Sequence, residues 1–358
     1  MIASVALEAC TVSAKILTVI VPTFNRSRFL ARLLSYAAEV RFPFHILIAD
    51  SSGPEERLRN ETLISRHRAV LDVEHLHFDC GLMEKLLHAV EHVSASYCCF
   101  WADDDFQLPE GLLSCLKFLE LNPIYGSCIG QLLQVSMDKT GTDAVLQTYP
   151  SREELPPGER LMRWSENFYP AFYAIYRKAI LCRMLKVAVD ASCYEKCRII
   201  PEITMGQMGL LFGKQKALCG VSIVFHLHDL NDSRTIRCVH DHHAFPNDYK
   251  RYRDTVSKVF SEIAGVSILE ADRVIDRSFR NAYFWTGGRW KYFKKIIGNL
   301  RSPWKKLRLR LDRRRLVPRF TRIEKEQISV DDPRLKLGSL PIAMRLLDKH
   351  PDGVDRWD

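Results

Sequence analysis

The sequence holds no apolar run near the roughly 20 residues that a membrane-spanning helix requires, so the chain reads as one that does not cross a bilayer by a helix. It has no CxxC pair, and its eleven cysteines are odd in number and scattered apart from Cys98 and Cys99. A disulfide framework and structural zinc are therefore not expected, and a reducing cytoplasm is the expected home. The helical HExxH pattern is absent, so the cluster HLHDLNDSRTIRCVHDHH reads as solvated loop histidines rather than a zinc site. Internal repeats and Gly/Ser linkers are missing too, which excludes solenoids and tethered modules. The opening MIASVALEACTVSAKILTVIVPTF lacks a basic leader and is interrupted by Glu8 and Lys15. It is read as a short extension over residues 1–14 before a first strand, in a protein that is not secreted.

What remains is the composition of a soluble globular protein: 358 residues, 47% hydrophobic and 27% charged. That length suits one large domain with additions or two ordinary ones. The net charge of +9 is unevenly spread. Between Gly287 and Arg322, fourteen Lys or Arg face the single acid Asp312, giving that segment +13 and leaving the body mildly acidic.

Along the chain, KILTVIVPTF is a short β-branched run that reads as a buried strand. NRSRFLARLLSYAAEV follows at helical spacing, with Asn25 or Ser27 as a cap. FHILIADSS, VEHLHF and YCCFWA continue the strands, and PEERLRNETLISRHRAVL, GLMEKLLHAVEHV and PEGLLSCLKFLELNP the helices. Such alternation predicts a doubly wound α/β domain with a mainly parallel sheet. The second half is less regular, with GSCIGQLLQVSM, FYAIYRKAIL and VSIVFHLHD strand-like, YPSREELPPGERL a loop, a helix from about Pro201 and two helices beyond Asp248.

In doubly wound sheets the ligand lies outside the carboxyl ends of the strands. Three strands carry polar groups there: Thr23, Asn25 and Arg26 after the first, Asp50 and Ser51 after the second, and Asp103, Asp104 and Asp105 after the fourth. Adjacent carboxylates at the end of a buried strand are costly unless donors, water or a cation stabilise them. Their agreement at one edge points to a site.

The stretches TVIVPTFNRSRFLARLL, ILIADSS, GLMEKLLHAVEHVSASYCCFWADDDF and PEITMGQMGLLFGK resemble the inverting nucleotide-sugar glycosyltransferases of the GT-A fold, family 2 in particular, over about residues 15–235. The resemblance implies a nucleotide-sugar donor, a divalent cation (Mn²⁺ or Mg²⁺) and transfer of a sugar to an acceptor hydroxyl. Asp103 to Asp105 match its D-x-D motif. By similarity Asp105 is the first choice for the metal and Asp104 for ribose or a metal-bound water, with Asp103 also open. Pro22, Thr23, Asn25 and Arg26 match its first nucleoside-binding element and Asp50 its second, Asp50 accepting from the base, uracil by preference. Lys85 stands where the family often has a residue reaching the nucleotide. Glu202 matches the position of the catalytic base, although Ile203 follows where the family has Asp, and Glu166, Asp190 and Glu195 are neighbouring acids. His228 is the candidate histidine near metal or diphosphate, with His226 assigned to the opposite strand face. The aromatic run ENFYPAFYAIYRK offers Phe172 and Tyr176 either to a sugar or to the core.

The domain is accordingly expected over residues 15–245, with a helical, basic region over 246–358. The tail mixes Trp, Tyr and Leu with cations, as interfacial helices on anionic lipid do. It suggests peripheral contact at the inner face of the membrane through residues 287–322 and a glycan or lipid-linked acceptor. No nucleic acid partner is expected, because no recognition motif accompanies the charge. Two other readings are a sugar-nucleotide-forming nucleotidyltransferase and a non-catalytic nucleotide-sugar or nucleic-acid binding protein. The first normally opens on a glycine-rich phosphate loop, and VPTFNRSR has no glycine.

Overall fold

The computed structural model describes residues 16–138, 141–169, 171–191, 199–228, 246–285, 324–328, 332 and 335–353. The amino-terminal extension, Glu195 and the basic tail lie outside the described residues.

The first half alternates as expected: β1 (Leu17–Thr23), α1 (Ser27–Glu39), β2 (His45–Asp50), α2 (Pro54–His67), β3 (Val73–His77), α3 (Leu82–His92) and β4 (Tyr97–Phe100). Then come β5 (Phe106–Gln107), α4 (Pro109–Leu121), β6 (Tyr125–Asp138), β7 (Gly141–Thr148), α5 (Pro157–Glu166), β8 (Ile175–Arg177), α6 (Lys178–Ala191), α7 (Ile199–Phe212) and β9 (Lys214–Leu227). The chain ends in α8 (Pro246–Ala264), α9 (Ile268–Trp285), β10 (Glu324–Gln327) and α10 (Leu340–Lys349).

One mixed sheet organises these elements, in the order β10-β7-β6-β8-β4-β1-β2-β3. The run β3-β2-β1-β4 is parallel, β8 joins β4 antiparallel, and β9 pairs in parallel with β6 and antiparallel with β5. Strand order reverses between β1 and β4, and that switch point is where doubly wound sheets open a ligand crevice. Alternation along each strand feeds two cores, as the period of two requires. Ile20, Leu47, Cys98 and Phe100 pack with α3, α6 and α7 on one face. Val19, Val21, Ile46, Ile48, Cys99 and Trp101 pack with α1 and α4 on the other.

Three local expectations change. Arg26, not Asn25 or Ser27, occupies the N-cap position of α1 and makes no side-chain capping bond, while Ser27 N–H donates to Glu56 Oε2 (3.1 Å). Within FYAIYRKAIL only β8 is extended, and the helix begins at Lys178. The proline-bearing loop contains α5, which starts at Pro157, a residue preorganised for a first helical turn. Of the described residues beyond 245, Tyr252, Val256, Phe260, Ile275 and Phe279 join one core and Leu340, Ala343, Leu346 and Leu347 the other. The described cysteines are all free thiols. No helix among the described residues is long and apolar enough to cross a membrane.

Candidate active site

The aspartates sit where β4 ends beside β1. A tight turn is closed by Asp105 N–H donating to Ala102 O (3.1 Å), and the Trp101 indole N–H donates to Asp105 O (2.9 Å). Burial of Trp101 thus fixes the backbone that presents the carboxylates. All three aspartates are buried, and each has a different set of partners.

Asp103 Oδ2 accepts from Thr23 Oγ1 (2.8 Å), while its Oδ1 pairs with Arg26 Nη1 (2.8 Å). Burial still raises its pKa against the Arg26 charge. Asp104 Oδ2 meets both Arg26 Nη2 (2.7 Å) and His228 Nε2 (3.0 Å). Burial pushes Asp104 upward, but His228 and Arg26 outweigh it and hold the carboxyl below the usual range. Asp105 Oδ2 accepts from the Tyr173 hydroxyl and Oδ1 from the backbone N–H of His226 (2.9 Å), so both oxygens bind protein donors. These two buried hydrogen bonds fix the orientation of the Asp105 carboxylate and leave each oxygen a further acceptor site. Asp104 thus stands beside His228, whereas Asp105, the first choice from the sequence, is turned toward Tyr173 and the His226 backbone.

His226 and His228 do not lie on opposite faces. Their rings stack at 4.8 Å, since residues two apart on a strand share a face. His228 also stacks on Phe29 at 5.0 Å, and the Arg26 guanidinium lies over that same ring at 4.4 Å.

The edge formed by the ends of β1 and β2 is stitched more tightly than the sequence suggests. Asn25 adopts φ 54°, a left-handed conformation Asn tolerates. This turn brings Asn25 N–H to Ser52 Oγ (2.8 Å) and Gly53 N–H to Asn25 Oδ1 (2.9 Å). Pro22 stands within β1, in register with Ala49. Lys85 is buried rather than solvated, and its ammonium donates to Thr23 O (2.9 Å) and Ser51 Oγ (2.8 Å). Burial lowers its pKa to about 8, with Asp50 and Asp103 opposing. Asp50 is fully buried, and its oxygens take Ser52 N–H (2.7 Å), Asn60 Nδ2 (2.9 Å) and His75 Nε2 (3.1 Å). Burial raises it, yet those donors together pull it below the carboxylate range. Its oxygens face protein donors where an acceptor for a base was expected.

Glu202 lies in the first turn of α7. The helix is seated by Gly206, where a Cβ would come within 2.1 Å of Trp164, and by Gln207, which donates to Ser278 Oγ (3.1 Å) and accepts from the Tyr252 hydroxyl (2.8 Å). Among the described residues no hydrogen bond or ion pair reaches the Glu202 carboxylate. It keeps some access to solvent but is surrounded by protein, and burial raises its pKa to about 7. Of the neighbouring acids, Asp190 is exposed at the end of α6 and Glu166 is half-buried at the end of α5.

In the aromatic run, Tyr176 is core, bonded to Ala171 O (2.8 Å), and Phe172 stacks on Phe100 at 4.9 Å. The contact with the aspartates falls instead to Tyr173, which the sequence reading passed over. Arg32 was also missed. It is buried under the aspartates, and its Nη2 donates to Asp104 O at 2.7 Å. A charge inside the otherwise apolar stretch FLARLL was its one sequence signal.

Residues 18–184, which supply β1 to β4 and the aspartates, match the family model described as Glycosyl transferase family 2. The chain carries a glycosyltransferase family 2 domain and is a glycosyltransferase. No curated protein matches it. Among solved structures, the glycosyltransferase resembles residues 1–349 of Staphylococcus aureus TarS at 14% identity, covering 76% of this chain and 73% of that one with a TM-score of 0.52, a likeness of fold. The same TarS fragment in complex with UDP-GlcNAc aligns at 14% identity over 74% and 73% of the two chains, with a TM-score of 0.48. The mannosyltransferase PcManGT from Pyrobaculum calidifontis, in complex with GDP-Man and Mn²⁺, aligns at 14% identity over 93% and 86%, with a TM-score of 0.45.

Proposed function

We propose that this glycosyltransferase moves a sugar from a nucleotide-diphosphate donor, by preference a UDP-sugar, to an acceptor hydroxyl with inversion, in the synthesis of a glycan or polysaccharide. The observation that carries the reading is the Asp103–Asp104 pair at the β1/β4 switch point, held by Thr23, Arg26 and His228.

The donor set fits a divalent cation of the Mg²⁺ or Mn²⁺ type. A carboxylate and an imidazole meet at Asp104 and His228, and few protein ligands are needed because diphosphate and water fill the remaining positions. No third His, Cys, Asp or Glu joins this pair among the described residues. When bound, the cation neutralises charge that develops on the departing diphosphate. Asp103 then suits the ribose, Arg26 is placed to turn toward a phosphate, and the Thr23–Asn25 turn with Ser51 and Lys85 forms the floor under the nucleoside.

Inversion by direct displacement requires a base for the acceptor proton. Glu202 supplies it: as the acceptor oxygen bonds to the anomeric carbon, its proton passes to the carboxylate. The bond from that carbon to the β-phosphate oxygen breaks, and a nucleoside diphosphate leaves. A pKa of about 7 suits this task, being close to working pH. A lipid-linked acceptor and docking of the basic 287–322 segment on anionic membrane extend the reading from sequence alone.

The decisive experiment is nucleotide release from a panel of UDP-, GDP- and dTDP-sugars with Mn²⁺ or Mg²⁺. Turnover of one donor that needs the cation and is lost in Asp104→Asn supports the reading. Absence of turnover on every donor, with nucleotide binding unchanged in Asp104→Asn, sinks it.

A further inference from the structure

The family match stops at residue 184, yet the chain returns to the aspartate turn at His350 and Pro351. Arg32 on α1 is 1% exposed. Its guanidinium donates from Nη2 to Asp104 O (2.7 Å) and from Nη1 to His350 O (2.8 Å) and Pro351 O (3.0 Å). One planar fork therefore joins the backbone of the middle aspartate to two carbonyls just past the end of α10. Lysine cannot reproduce this, because its donors radiate from a single atom.

The other end of α10 is fastened to the same motif. Ser339 N–H and Oγ donate to the two oxygens of Glu110 (3.1 and 2.5 Å), and Glu110 lies in the first turn of α4, which leaves the aspartate turn through β5. Tyr36 of α1 donates to Gln107 O (3.0 Å), tying β5 to the same helix. Between these points Leu340, Ala343, Leu346 and Leu347 are buried in the core shared with α1, and Arg345 pairs with Glu39. Gly353 closes the arrangement with φ 85°, where a Cβ would meet the Arg28 backbone at 2.7 Å. Just past the helix end, where His350 O also accepts from Gly353 N–H (3.2 Å), the buried guanidinium satisfies these carbonyls while bringing positive charge beneath three carboxylates.

We infer that the C-terminal segment Ser339–Gly353 is a positioning element of the active site, with Arg32 as the positioning residue through which it holds the Asp104 backbone. The inference rests on the transferase reading, in that Asp104 is taken as the cation-binding aspartate. Residues that orient a metal ligand from behind typically change cation affinity by about 10–100-fold when removed.

The test uses the full chain and three variants: Arg32→Met, Gly353→Val, and Val256→Ala as a destabilised comparator in α8, on the other face of the sheet. Thermal unfolding ranks their stability, and binding of Mn²⁺ with UDP or GDP is followed by electron paramagnetic resonance well below each Tm. The expected result is at least tenfold weaker Mn²⁺–nucleotide binding in Arg32→Met and several-fold weaker binding in Gly353→Val. Val256→Ala should bind as the unaltered chain does despite a comparable loss of Tm. Unaltered binding in folded Arg32→Met and Gly353→Val overturns the inference, as does an equal loss in Val256→Ala. If the unaltered chain binds no Mn²⁺ with either nucleotide, the transferase reading fails and the inference falls with it.

Discussion

Asp104 and Glu202 are both acids held in protein surroundings, but they are held in opposite ways. Asp104 is surrounded by charge of the other sign and by donors, so it stays ionised although buried. Glu202 has burial and no partner among the described residues, which raises it toward neutrality. The first arrangement suits a group that must remain a carboxylate and bind a cation. The second suits one that must accept a proton and release it again. Environment, rather than residue type, divides the two roles.

The strongest way to break this contrast is to remove the charge of Asp104. Asp104→Asn keeps the shape and loses the anion, and transfer should fall by about a thousandfold, with Mn²⁺ affinity in the presence of nucleotide falling too. Near-normal turnover in Asp104→Asn would reassign the cation to another group. Glu202→Gln comes next, with an expected loss of about 10²–10⁴-fold in kcat and nucleotide binding kept, since in the proposed reading the carboxylate takes the acceptor proton and does not hold the donor. The pH profile sharpens the same point. Only ionised Glu202 accepts a proton, so kcat should climb with pH through about 7 and level off above it. A profile flat from pH 5 to 9 would remove Glu202 as the base.

A smaller effect is expected at Arg26, which pairs with both Asp103 and Asp104 at 2.8 and 2.7 Å. With no nucleotide present this guanidinium competes with a cation for the same oxygens. Arg26→Gln should therefore tighten Mn²⁺ binding several-fold in the absence of nucleotide while weakening nucleotide binding. Looser Mn²⁺ binding in the variant would show that Arg26 helps to shape the cation site instead of opposing it.

The parallel half of the fold was legible because each strand there is a short apolar run and each helix shows its period. VPTFNR and the aspartates were legible because polar groups recurred at one sheet edge. The register within DDD was not, since it depends on Tyr173 and the His226 backbone, both more than 60 residues away along the chain and brought close only by β8 and β9. Asp50 reads from sequence as a free acceptor, and its donors Asn60 and His75 come from a helix and a neighbouring strand. Arg32 is the clearest case. Nothing local predicts that a charged residue on an apolar helix will find carbonyls 318 residues later.

The smallest predicted effect is on stability, and it tests the contrast without chemistry. Glu202 has a folded pKa of about 7 against an ordinary value of 4.5, so the folded chain binds more protons than the unfolded one between those values. Stability from this group is therefore present below about 4.5 and is lost as pH rises through about 7. Glu202→Gln removes the penalty of charging a buried group. Its stability should match the unaltered chain at pH 5 and exceed it at pH 8.5 by about 1–3 kcal/mol, discounted for the solvent the side chain still meets. Asp104→Asn should instead be less stable than the unaltered chain by a constant amount over this range, because Asp104 is stabilised as an anion and its contribution is lost only in acid, below the ordinary carboxylate range. Thermal unfolding of both variants across this range separates the two. Parallel curves would mean that the two carboxylates are held alike, and the division of roles between them would lose its physical basis.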